Sequence, residues 1–250
     1  MKISIITVCF NSENTIFDTL ESVQSQNYEN IEHIIVDGKS TDNTLNIIKK
    51  FKHVSKIISE KDNGIYDAMN KGIKISNGDI IGFLNSDDTF FDEYSLNTII
   101  QPFFLYSNID IIYGDLNYID YKKRVIRNWI SDKYEKNNFL TGWCPPHPTF
   151  YAKKKIYEKY GNFNEKIGNP ADFELMYRMM YKNNLKTYHI NKKLVNMKLG
   201  GISNKSLKNI IKQNLSIINI LKKNKDFNLI NFIIKKLISR LKQYKIKNSL

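Results

Sequence analysis

The chain has 250 residues, 42% of them hydrophobic, enough to bury the core of one large α/β domain or two small ones and too apolar for a disordered chain. Its two cysteines, Cys9 and Cys144, lie far apart and outside any C-x-x-C spacing, so neither a disulfide framework nor a thiolate metal site is indicated, and a reducing cytoplasm is expected. The net charge of +13 would suit nucleic acid, but residues 205–250 carry 12 Lys or Arg against the single acid Asp226, leaving +2 on the rest. A near-neutral main body argues against a nucleic-acid-binding protein.

From the start to about residue 115, β-rich apolar runs alternate with segments of helical periodicity, the βαβ signature of a mostly parallel sheet. Met1 to Phe10 is apolar but short and has no small-residue cleavage site, so it reads as the first strand. Further strands are predicted near Ile31 to Asp37, Ile57 to Ser59, Ile80 to Leu84 and Ile109 to Gly114. The first helix repeats Ile16, Leu20 and Val23 at helical spacing behind Asn14 or Thr15 as N-cap. Thr41-Asp42-Asn43 opens the second, and the third runs from Ile65 to Ser76, with Asn77-Gly78 offering a left-handed closure. A hairpin is expected around Tyr121-Lys122-Lys123, then a Trp/Pro/Gly-rich loop, then helices from Lys153 to Tyr160 and Ala171 to Lys182. The last 46 residues read as two amphipathic helices; in the second, Ile230, Ile233, Ile234, Leu237, Ile238 and Leu241 form an apolar stripe, with Lys235, Lys236, Arg240 and Lys242 elsewhere on the wheel. No run approaches the ~20 apolar residues a spanning helix needs, so a soluble or peripheral protein is expected.

Two strands end in acidic clusters. Ile80-Ile81-Gly82-Phe83-Leu84 runs into Asn85-Ser86-Asp87-Asp88, and Ile34-Ile35-Val36 runs into Asp37-Gly38-Lys39-Ser40-Thr41-Asp42. In an open α/β sheet the carboxyl ends of neighbouring strands line one crevice, so both clusters can converge on one ligand. Short carboxylates there suit a phosphate-bearing ligand held through a hard cation, which prefers oxygen donors. No G-x-G-x-x-G follows the first strand and no G-x-x-x-x-G-K-[ST] occurs, so dinucleotide and P-loop readings lose their main support.

Four segments in order, Ile6-Thr7-Val8-Cys9-Phe10-Asn11, Val36 to Asp42, Asp62-Asn63-Gly64-Ile65-Tyr66-Asp67-Ala68-Met69-Asn70-Lys71-Gly72 and Leu84-Asn85-Ser86-Asp87-Asp88, make residues 1–203 resemble a family 2 glycosyltransferase. The resemblance implies the α/β GT-A fold, a Rossmann-like mostly parallel sheet flanked by helices, and an inverting transfer from a nucleoside diphosphate sugar assisted by Mn²⁺ or Mg²⁺. UDP is favoured over GDP or dTDP. By that likeness Asp87 contacts the metal, Asn85 stands where the family has an Asp, and Asn85 and Ser86 meet the nucleotide sugar. Asp37 accepts from a uracil or thymine imide N–H, while Thr7, Phe10 and Asn11 shape the base and ribose pocket. Lys71 offsets diphosphate charge or belongs to a solvated helix face, and Asp42 caps a helix or touches ligand.

Asp172 matches the family's base, with Ala171 replacing the usual Glu beside it. Glu174 competes, but two residues along a helix it points elsewhere. Trp143 and His147, in Gly142-Trp143-Cys144-Pro145-Pro146-His147-Pro148, fall on the acceptor side: Trp143 to stack on a sugar, His147 either packed in the core or touching acceptor or metal. Gly200-Gly201-Ile202-Ser203 either closes over the diphosphate or forms a plain turn. The expected organisation is a transferase domain over 1–203, divided near 115 into donor and acceptor halves, and a basic helical tail over 204–250. That tail packs on the domain, joins a second copy of the chain in a homodimer, or docks on anionic lipid at the inner face of the plasma membrane. The expected acceptor is a hydroxyl of a cell-surface glycan or lipid-linked glycan. A catalytically silent nucleotide-sugar-binding module is the alternative, prompted by Asn85 and Ala171.

Overall fold

A computed structural model describes residues 1–199 and 207–245. Nine strands form one sheet in the order β3-β2-β1-β4-β8-β6-β9-β5, with β7 paired to β6. β1 (Ile3–Cys9), β2 (Ile31–Asp37), β3 (Val54–Ser59) and β4 (Ile80–Phe83) are mutually parallel along that order. β1 and β4 are buried at every position, which is why both read as unbroken apolar runs, whereas the edge strand β3 alternates half-buried and exposed residues. Helices α1 (Ile16–Gln24), α2 (Thr44–Ile48) and α3 (Ile65–Ile75) make the crossovers. All four parallel strands therefore deliver their carboxyl ends to one rim.

Beyond β4 the sheet departs from the simple parallel expectation. After β5 (Thr89–Phe90) and α4 (Ser95–Leu105), β6 (Ile111–Ile119) does not join β4 directly. β8 (Tyr151–Lys153) lies between them, antiparallel to both, Ile81 and Ile111 each facing Ala152. The predicted hairpin forms from β6 and β7 (Val125–Trp129), turning through Lys123 at φ +60°. A strand absent from the sequence reading, β9 (Thr187–Lys198), runs parallel to β6. Its register slips between Gly114 and Asp115, where Asn191 and Lys192 are passed over.

The third helix closes differently from expectation. Ser76 is extended (φ −68°, ψ 141°), and Gly78 is required for another reason: a Cβ there would lie 2.6 Å from the Ser4 backbone nitrogen. Later helices are α5 (Lys154–Tyr160), α6 (Ala171–Met176), continued as a π-helical turn over Tyr177–Lys182, α7 (Leu207–Leu221) and α8 (Leu229–Lys245).

One sheet face packs Ile6, Val36, Met69, Phe83 and Tyr113 against Phe173, Tyr177 and Phe139, and the same cluster takes in Ile217, Leu221 and Phe232 from α7 and α8. The other face packs Ile3, Ile5, Leu84 and Leu116 under Leu96, Ile99 and Phe103 of α4. The tail helices are thus built into the main core, and the expected boundary near 203/204 falls outside the described residues. Phe232 faces down at 2% exposure, while Ile230, Leu237 and Leu241 of the apolar stripe face out at 69, 59 and 65%. Among the described residues no helix is long and apolar enough to cross a membrane.

Candidate active site

At the β4 terminus, Asp88 is buried and accepts from Asn85 Nδ2 (3.1 Å) and the Lys198 backbone N–H (3.2 Å). Burial first, and the charge of Asp87 second, push its pKa well above the usual carboxylate range. Asp87 is also raised, chiefly by burial, and the cation of Lys198 pulls the other way. Two adjacent carboxylates that each resist ionisation form a site that a cation would relieve. Asn85 adds to this fit: its Oδ1 is buried without a partner. Asp87 and the Asn85 amide oxygen therefore suit a hard divalent ion completed by ligand phosphates, a coordination mode common for Mg²⁺. No group of three or more His, Cys, Asp or Glu among the described residues could hold a metal unaided. Lys198 was missed because its strand went unrecognised.

The β1 and β2 ends are stitched together by polar loops. Asn11, at φ +48°, accepts from Thr41 N through its side chain (2.9 Å) and donates from its backbone to Ser40 Oγ (2.8 Å). Ser86 Oγ pairs with Ser12 Oγ at 2.9 Å, joining the β1 and β4 loops. Asp42, just ahead of α2, accepts from Thr44 N and Oγ1 and from Glu13 N.

Three residues expected at the ligand meet protein partners in the structure. Asp37 is fully buried and already accepts from Ser40 N (3.0 Å), Ser40 Oγ, Ser59 Oγ (2.6 Å) and Cys9 Sγ (3.6 Å). Those four donors occupy its roughly four acceptor positions, so it braces the loop. Thr7 is fully buried, its hydroxyl paired with His33 Nε2 at 3.0 Å, because β1 is covered on both faces. Lys71 is tied to Glu60 (2.9 Å), Asp67 (3.5 Å) and the Lys61 carbonyl, and Glu60 raises its pKa. At the mouth stand Phe10, 60% exposed, and Asp62, whose carboxylate packs over Gly38 beside the Phe10 ring.

A second cavity, of about 210 Å³, opens among β7, the loop after it, α6 and the tail helices. Asp172 lines it and accepts from its neighbour Phe173 N at 2.7 Å. Burial first, and then the charge of Asp172, raise the pKa of Tyr66, whose hydroxyl donates to Asn169 Oδ1 at 3.4 Å. Its rival Glu174 is held by Arg178 at 3.0 Å, and Arg178 in turn grips the carbonyls of Tyr160, Gly161 and Asn162. A carboxylate so paired is a poor base, which separates the two acids structurally.

His147, also lining the cavity, stacks on Phe83 (5.3 Å between centroids), and its Nε2 is buried without a partner. Burial lowers its pKa, opposed by Asp172. Trp143 borders the same space, its Nε1 donating to the Ser131 carbonyl and its ring stacked on Tyr134 at 5.6 Å. The Gly200–Ser203 segment lies outside the described residues. A larger hollow of about 580 Å³ between α3 and α5 holds none of the strand-end carboxylates.

A strand-end carboxylate rim together with a cavity lined by a further carboxylate, Asp172, fits the plan of a GT-A glycosyltransferase. The sequence matches the profile of glycosyl transferase family 2 over residues 4–227, and the chain belongs to that family. Over 114 residues it is 44% identical to the Escherichia coli UDP-Glc:alpha-D-GlcNAc-diphosphoundecaprenol beta-1,3-glucosyltransferase WfaP, a match spanning 42% of this chain and 45% of WfaP, so under half of that relative is represented. An uncharacterized glycosyltransferase of Mycobacterium tuberculosis is 30% identical over 180 residues, 70% of this chain and 68% of that protein. The fold matches Staphylococcus aureus TarS 1–349 in complex with UDP-GlcNAc (TM-score 0.68, 19% identity, all of this chain and 77% of that one). It also matches the Pyrobaculum calidifontis mannosyltransferase PcManGT in complex with GDP-Man and Mn²⁺ (TM-score 0.69, 12% identity, all of this chain and 76% of that one). At such identities these likenesses establish the fold alone.

Proposed function

We propose that this glycosyltransferase moves a sugar from a UDP-linked donor to a hydroxyl of a lipid-linked glycan, with inversion at the anomeric carbon. The observation that carries the reading is the unpartnered Asn85 amide oxygen beside the Asp87 and Asp88 carboxylates at the common strand end. Asp87 and Asn85 would hold a Mn²⁺ or Mg²⁺ ion there, and the ion supplies charge stabilisation to a departing diphosphate. Phe10 and Asp62 bound the base, while Asn11, Ser86 and the braced Asp37 keep its loops in place. Asp172 takes the acceptor proton as the acceptor oxygen bonds to the anomeric carbon and the bond to the diphosphate breaks, its electron pair leaving with UDP. A base within about 3 Å of the acceptor oxygen suffices for this step. Trp143 and His147 position the acceptor sugar, His147 through Nε2.

The donor choice is supported by the UDP-glucose in the name of WfaP and the UDP-GlcNAc bound to TarS, and the metal by the Mn²⁺ in PcManGT. A lipid-linked acceptor is supported by the diphosphoundecaprenol in the name of WfaP. The organisation proposed is a transferase domain over 1–203 with 204–250 as an integral basic tail. The outward stripe of α8, with exposed Ile211 and Leu215 on α7 and a tail net charge of +11, suits docking on anionic lipid at the inner face of a membrane. A homodimer through the same stripe is the competing arrangement. The test is release of UDP from UDP-glucose and UDP-GlcNAc in the presence of Mn²⁺ or Mg²⁺ and extracted lipid-linked glycan, with the product's anomeric configuration determined. Transfer with inversion is expected; failure of every UDP-sugar alongside success of a GDP- or dTDP-sugar would overturn the donor assignment.

A further inference from the structure

The inner face of α8 has its own chemistry. Phe232, Lys236, Ser239 and Gln243 recur at spacings of four, three and four, placing them on one face. Lys236, Ser239 and Gln243 line the Asp172 cavity, together with Gln213 of α7 and Arg127 of β7. The helix seats directly on the acceptor loop: a Cβ on Gly142, at φ +82°, would lie 3.1 Å from Lys236 Cβ and 3.2 Å from Phe232 Cε2. A side chain there would press on Lys236 and Phe232 of α8.

Two cations from elements more than a hundred residues apart thus border one small space. The Arg127 guanidinium lies over the Tyr118 ring at 4.2 Å and 5.6 Å from the Trp129 ring. A guanidinium carries a planar N–H fork, the geometry that meets phosphate oxygens. The Lys236 ammonium sits 5.0 Å from the Phe232 ring centre. Its charge also opposes the upward shift that burial gives the Cys144 thiol, so it is felt inside the cavity. Asp132 and Asp172 border the same space, so the cations select by position and not through a broadly positive field. Besides His147 Nε2, Gln243 Oε1 is a buried atom without a partner at this cavity. At about 210 Å³ the space is below the roughly 300–1,000 Å³ of ordinary ligand pockets, sized for one sugar ring whose substituents leave along α8.

We infer that α8 is the phosphate-facing wall of the acceptor site: Lys236 and Arg127 receive the diphosphate of a glycosyl diphosphate whose sugar hydroxyl faces Asp172. This rests on the function proposed above and adds the recognised group. It gives the tail two tasks on opposite faces of one helix, reading the acceptor's diphosphate inside and meeting lipid outside.

The test uses the full chain saturated with UDP and Mn²⁺, so that the donor site cannot take up the probe. Two probes are titrated: an N-acetylglucosaminyl diphosphate carrying a short alkyl tail, and the matching alkyl glycoside without phosphate. The diphosphate is expected to bind at least about tenfold more tightly, consistent with hydrogen bonds to charged groups, and this preference should shrink at high salt. Lys236→Gln should remove most of the preference without changing UDP binding, and Lys236→Arg should retain it. In turnover, Lys236→Gln should raise KM for the diphosphate acceptor more than it changes kcat, and more than it raises KM for the neutral acceptor. Equal binding of the two probes, or a preference indifferent to Lys236→Gln and Arg127→Gln, would overturn the inference while leaving UDP binding intact. Loss of UDP binding in the unmodified protein would instead sink the donor reading. Should Lys236→Gln fail to fold, the salt dependence of the unmodified protein decides. Repeating the titration with the lipid-borne diphosphate in vesicles separates a bilayer-held acceptor from a soluble one: tighter vesicle binding assigns the lipid source, equal binding the soluble one, and both support the recognised group.

Discussion

The strand-end rim and the Asp172 cavity, proposed as donor and acceptor sites, are built in opposite ways. The rim comes from four consecutive parallel strands whose loops are tied to one another by Asn11, Ser12, Ser40 and Asp42. The cavity is gathered from β7, the Gly142–Pro148 loop, α6 and two helices near the carboxyl end. Local motifs suffice for the first, because each residue needs only its own strand end. Long-range packing decides the second, which leaves its chemistry open to variation.

The contrast can be broken most sharply at the two carboxylates. Asp172→Asn is expected to cut transfer by about 10²–10⁴-fold with UDP binding unchanged, measured by product formation beside calorimetry. Glu174→Gln, by contrast, should lower stability by about 1–3 kcal/mol through the freed Arg178 network and leave the fully folded enzyme active; equal losses of turnover in the two variants would erase the distinction. Asp87→Ala should weaken metal-dependent UDP binding about tenfold or more while leaving metal-free binding and the melting temperature little changed.

Acid stability offers a further handle through two shifted groups at β2. Burial, and then the neighbouring His53, pull the pKa of His33 from 6.5 to about 3. Burial opposes ionisation of Glu32, yet hydrogen bonds from Ser4, Asn77 and Lys56 hold it at about 2, below its ordinary 4.5. In both cases the unfolded chain binds protons more readily, so the contribution of these two groups is full above about pH 6.5 and falls as pH drops, through His33 first and Glu32 below about 4.5. Urea unfolding across pH 7 to 3 should show this slope, and Glu32→Gln should flatten its lower part. The smallest effect concerns the outer stripe: Ile234→Asp with Leu237→Asp should abolish flotation with anionic vesicles while leaving UDP binding unchanged. Unaltered flotation, or a dimer that the same pair dissolves, would favour the protein interface.

How much of this could be read in the sequence follows the same division. β1, β2 and β4 were legible because burial on both faces forces apolar runs that end at their acidic clusters. β9 was hidden because its register slip at Gly114/Asp115 leaves Asn191, Lys192 and Lys193 exposed in mid-strand, breaking the pattern. With it went Lys198, whose backbone holds Asp88. Asp37 and Thr7 stand in motif positions, but periodicity does not tell a carboxylate facing ligand from one bracing a loop, nor a hydroxyl lining a pocket from one paired with a buried imidazole. The stripe of α8 was legible as a stripe; its outward direction was not, since it depends on Phe232 finding Gly142.

The most direct measurement is calorimetric titration of the full chain with UDP, GDP and dTDP, each with and without Mn²⁺. The account predicts that UDP binds best and needs the metal, and that Asp87→Ala removes the metal's contribution. Binding of GDP or dTDP in preference to UDP, or UDP binding indifferent to the ion and to Asp87, would contradict it.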